Sequence, residues 1–91
     1  MPNVSVEASA VEGAVSLCQR SIQQFQQTSA SLNRSYQTAG SSWRDQKYQQ
    51  LGSIVSDCTQ ALNRPVRELE DCIQKLQQLR QAITTYESQS L

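Results

Sequence analysis

The sequence predicts an all-α fold, a single antiparallel hairpin of two long helices. Three observations predict it. An apolar stripe with alternating steps of four and three runs unbroken from Val4 to Ala39. The same alternation resumes at Tyr48 and continues to Tyr86. Between the two lies a short corner, Ala39-Gly40-Ser41-Ser42-Trp43-Arg44-Asp45, rich in residues that end and start helices. Steps of three and four are helical; a strand needs period two, and neither stretch has it.

The first helix is predicted over about 5–39. Asn3 or Ser5 can cap it, and Glu7 falls in its first turn. Its seam is Val4, Ala8, Val11, Val15, Cys18, Ile22, Phe25, Ser29, Leu32, Tyr36 and Ala39, a heptad pattern. Gly13 lies off this seam.

The corner reads as helix punctuation. Gly40 can close the first helix in the left-handed conformation. Ser42 can cap the second with its hydroxyl, which would put Asp45 at N3, favourable beside the positive helix end. Trp43, the one tryptophan, sits on the corner. It can pack as a plug against Tyr36 or Leu51, or stand at a groove used for recognition.

The second helix is predicted over about 43–87, with a seam of Tyr48, Leu51, Val55, Cys58, Leu62, Pro65, Leu69, Cys72, Leu76, Leu79, Ile83 and Tyr86. Pro65 removes a hydrogen bond and costs about 3 kcal/mol in a helix interior. Because the heptad phase passes through it, a kink near residues 61–65 is expected; a true break with a third helix from Pro65 is the alternative. Arg64–Glu68, Arg67–Asp71 and Asp71–Lys75 have the i,i+4 spacing of helix ion pairs.

Folding the chain near residue 41 makes facing residue numbers total about 82. Helix 1 then runs out opposite residue 77, and helix 2 overhangs by roughly 15 Å at 1.5 Å per residue. A second apolar set flanks the seam: Val6, Ala10, Ala14 and Leu17 on helix 1, and Ile54, Ala61, Val66, Ile73 and Ala82 on helix 2. A two-helix hairpin buries one stripe only. Leu17, Ile54, Ala61, Ile73, Leu79 and Ile83 are therefore expected to form a dimer face, two hairpins making a four-helix bundle. A different helical protein covering the same face is the competing possibility.

Composition limits the function. The 91 residues make one domain, 1–91, too small to be comfortable alone. Eight basic residues balance eight acidic ones, so neither a nucleic-acid footprint nor a basic membrane-surface helix is expected. No stretch has the length of a transmembrane span, and the N-terminus does not read as a secretory signal. There is no histidine and no glycine-rich phosphate loop, so no catalytic constellation, cofactor site or small-molecule substrate is expected. The spacing of Cys18, Cys58 and Cys72 fits no zinc site. Cys18 and Cys58 would lie roughly 9 Å apart along the axis, too far for a disulfide. All three are expected as core thiols.

Taken together, these residues resemble the Trp-Xaa-Gly family of small helical-hairpin proteins exported by type VII secretion systems. The resemblance spans the whole chain and centres on Trp43-Arg44-Asp45, in which Asp45 stands where the family has glycine, as in a Trp-Xaa-Asp variant. It implies homodimers or heterodimers with a second such protein or a toxin, leaderless export to the cell surface or medium from the cytoplasm, and a tryptophan region read by the secretion ATPase. A further family element, a tyrosine followed four residues later by an acid, finds Tyr86 here but Ser90 at the fourth position. The alternative expectation is an intracellular coiled-coil adaptor, or a chaperone for a larger helical toxin, not itself exported.

Overall fold

The structure, a computed structural model, describes the backbone of residues 4–89 and side chains within 7–86. Two helices account for nearly all of it, α1 (Val4–Gly40) and α2 (Gln46–Gln89). They lie side by side in an extended hairpin of 70 × 15 × 14 Å. The proposed caps Asn3 and Ser5 and the flank residue Val6 fall outside the described side chains, as does Ser90.

On α1 the predicted seam holds from Ala8 to Ala39; its first member, Val4, falls outside the described side chains. Val11 is buried, and Ala8, Val15, Cys18, Ile22, Phe25, Ser29, Leu32, Tyr36 and Ala39 are all half-buried. Ser29 interrupts this apolar line, and its buried Oγ has no hydrogen-bond partner.

On α2 the inward stripe is turned towards the residues that follow part of the predicted seam. Tyr48, Val55, Leu62, Leu69, Leu76 and Ile83 are inward as expected. Gly52, Thr59, Val66 and Ile73, each one residue after the predicted Leu51, Cys58, Pro65 and Cys72, also turn inward; Leu51 and Pro65 remain half-buried, whereas the predicted Leu79 and Tyr86 are exposed. Val66 is buried, whereas Cys58 and Cys72 are exposed. The core-thiol expectation therefore holds in part for Cys18 alone, which is half-buried; all three thiols are free. The physical reason is a contest between two neighbouring stripes that share one set of positions. A rotation of about half a residue, roughly 50°, keeps the shared positions inward and brings Ile73 in for Cys72 and Val66 in beside Pro65, which buries more hydrocarbon.

The register also differs from expectation. Tyr36 lies against Gly52 and Tyr48 against Gly40, so facing numbers total 88 rather than about 82. Arg80 forms an ion pair with Glu12 towards the open end. Carried along the helices, this register sets Val4 level with residue 84, and the overhang of α2 shrinks to about 8 Å at 1.5 Å per residue. The cause is the corner, which spans 41–45 and is centred nearer Trp43 than residue 41.

Pro65 does not end α2, which runs through it as one element and excludes a third helix. The Arg64–Glu68, Arg67–Asp71 and Asp71–Lys75 spacings form no ion pairs; among the described residues the pair is Arg80–Glu12.

The hairpin has two unlike broad faces. Residues one place after the seam positions are mostly polar and rich in glutamine, for example Gln19, Gln26, Gln60, Gln74 and Gln81. Residues one place before each seam position are not: on α2 they include Leu51, Ile54, Ala61, Leu79 and Ala82. Because two antiparallel right-handed helices turn equivalent flanks the same way, each set shares one side of the molecule.

Candidate functional site

The hairpin tip is assembled by local hydrogen bonds. The last carbonyls of α1 are taken up by the next three amides: Ser41 N–H donates to the Thr38 carbonyl, and Ser42 and Trp43 N–H both donate to that of Ala39, at 3.0–3.2 Å. Ser41 Oγ adds a bond to the Thr38 carbonyl at 2.7 Å. Ser42 is thus used to finish the first helix and does not cap the second. Asp45 does: its Oδ1 accepts from the Lys47 amide at 2.9 Å and the Tyr48 amide at 3.1 Å. An N-cap carboxylate satisfies two orphan donors and meets the positive end of the helix dipole.

Gly40 is also misassigned by the sequence reading. No glycine in the described residues has positive φ, and Gly40 ends α1 in helical conformation. Its requirement is steric. A Cβ on Gly40 would strike the Tyr48 ring, and one on Gly52 would lie 2.6 Å from the Tyr36 hydroxyl. Each tyrosine occupies the space over the other helix's glycine. The two rings stack with centroids 4.4 Å apart and planes within 7°. The signal was present as a repeated motif, Tyr36-Gln-Thr-Ala-Gly40 and Tyr48-Gln-Gln-Leu-Gly52.

Tyr48 donates its hydroxyl hydrogen to the Tyr36 carbonyl at 3.2 Å. Hydrogen bonding with Tyr36, then loss of solvent and the neighbouring Tyr36 phenol, hold the Tyr48 phenol above its usual range; Arg44 pulls the other way. Trp43 tilts against Tyr48 at 54°, centroids 6.2 Å apart, and remains 37% exposed. Its aromatic packing partner is therefore Tyr48 rather than Tyr36. An open groove on the tip is lined by residues that include Tyr36, Gly40, Arg44, Asp45 and Tyr48, and not by Trp43 itself.

The other predicted site residues lie elsewhere. Tyr86 is 64% exposed near the open end, far along α2 from Trp43. Leu17, Ile54 and Leu79 are 61%, 58% and 51% exposed, and Ala61 is exposed with them. Ile73 and Ile83 instead occupy seam positions and are half-buried. Among the described residues, no three ligating side chains gather as a metal site would require, and no helix is long and apolar enough to cross a membrane.

Comparisons with protein-family models, with curated proteins and with solved structures found no match for this chain.

Proposed function

We propose that this chain is a small binding protein of type VII secretion, a substrate or co-secreted partner that acts as a dimer and is recognised at its Trp43 corner. The single observation that carries the reading is Trp43 itself. A large aromatic side chain, packed against Tyr48 next to the Asp45-capped helix, stays exposed, and its neighbours Arg44 and Tyr48 line an open groove on the tip. Aromatic and arginine side chains placed this way are the usual anchors of protein recognition. The hairpin form and the tryptophan on its connection support the family reading. Dimerisation into a four-helix bundle is supported by the exposed apolar flank. The reading assigns no catalysis, cofactor, nucleic acid or small-molecule substrate; the partners are a second copy, a related hairpin or a toxin, and the secretion ATPase.

The test is export from matched strains with and without the type VII ATPase. The proposal predicts protein outside the first strain only, and loss of export by a folded Trp43→Ala variant. Equal amounts outside both strains would refute it. One observation favours the second reading, an intracellular adaptor or chaperone for a larger helical toxin: Ser90 replaces the acid expected four residues after Tyr86. That reading predicts retention inside the cell and co-purification with the toxin.

A further inference from the structure

The apolar flank and its two charges point to one arrangement of two copies. The chain exposes 7112 Å², whereas a compact protein of 10.2 kDa exposes roughly 5300 Å². The excess, about 1800 Å², exceeds the roughly 800 Å² that each partner of a standard interface buries. The flank that precedes the α2 seam is the surface available for this. It is uncharged between Leu51 and Tyr86 except at Glu68 and Lys75, one of each sign and seven residues apart. Both are exposed, and neither forms an ion pair within the chain.

Opposite charges seven apart on one seam are self-complementary about the point midway between them. We infer that two copies associate through this flank with their α2 helices antiparallel, the two-fold axis passing near Cys72. Facing numbers then total about 144. Glu68 of one copy meets Lys75 of its partner, twice per dimer. Pro65 faces Leu79, and Ala61 faces Ala82 across the same seam. Other registers of this seam fail on charge. Centring on residue 68 sets Glu68 against itself, and centring on Pro65 buries both charges against apolar groups.

Helix α1 supports the same centre independently. Among the described residues its flank is apolar at Ala10, Ala14 and Leu17; from Ser21 to Thr38 the flank is Ser, Thr and Gln. In the hairpin register those three residues lie level with 71–78 on α2, around the proposed axis. The overlap runs over about 58–86, roughly 42 Å of helix. Both tips project beyond it, so Trp43 stays uncovered. This inference rests on the self-association in the proposed function and adds its geometry.

The experiment uses full-length single-cysteine variants and a short bismaleimide, with mass measured in parallel. With Cys18 and Cys58 changed to Ser, the remaining Cys72 is expected to give a covalent dimer. With Cys18 and Cys72 changed to Ser, Cys58 is expected to stay uncrosslinked. Glu68→Lys is expected to raise the dissociation constant about tenfold, and Glu68→Lys with Lys75→Glu to restore it. A dimer by mass without Cys72 crosslinking would overturn this geometry and leave self-association standing. A monomer by mass would overturn both.

Discussion

Gly52 and Gly13 make opposite predictions from the same residue type. A Cβ at Gly13 meets nothing within 4 Å, so Gly13→Ala should stabilise the protein by about 1 kcal/mol through helix propensity alone. Gly52→Ala gains the same propensity but pushes on the stacked Tyr36 ring, and overpacking costs about 1–3 kcal/mol. Urea titration at fixed protein concentration should show the midpoint rising for the first and falling for the second. The caps separate as cleanly. Asp45→Ala should cost about 1 kcal/mol, while Ser42→Ala should leave the midpoint nearly unchanged, because Ser42 contributes its amide and not its hydroxyl. At this scale the sequence was legible in kind but not in assignment. Ser42 and Asp45 are ordinary helix punctuation, and their roles depend on where the last α1 carbonyls find donors, whereas Gly40 is required by the Tyr48 ring. The tyrosine–glycine fit is a contact between helices, and only the repeated Tyr-Xaa-Xaa-Xaa-Gly spacing hints at it.

Both helices and their pairing were readable from period alone, and α1 was readable to the residue. Its one apolar stripe has no rival, since from Ser21 to Thr38 the flanking positions are polar except Ala30. Helix α2 carries two apolar stripes that share Val55, Leu62, Leu69 and Leu76, and period cannot choose between Cys72 and Ile73 as the fourth member. The packing partner makes that choice. The consequence is testable: Val66→Ala should lower the unfolding free energy by about 1–3 kcal/mol. Asp71→Ala, with its exposed and unpaired carboxylate, should stay within about 0.5 kcal/mol. The pairs Arg67–Asp71 and Asp71–Lys75 thus indicate helix by their spacing without stabilising it.

The whole molecule is long, thin and poorly buried. Among the described residues only Val11, Val55 and Val66 are buried apolar side chains, and none is fully so. A radius of gyration of 20.6 Å compares with roughly 12 Å for a compact domain of this length. Three buried valines do not make a core sufficient for a 91-residue chain, and Leu17, Ile54, Leu79 and Tyr86 are large side chains left in water. In the proposed dimer the hairpin is half of an assembly, with the face that precedes the seam covered and the glutamine face left to solvent. Sedimentation equilibrium at about 10 µM tests this most directly, a concentration at which a specific micromolar or tighter complex is populated. The predicted result is a mass of twice 10.2 kDa, shifting toward the monomer on dilution; a mass of 10.2 kDa at every concentration would contradict it.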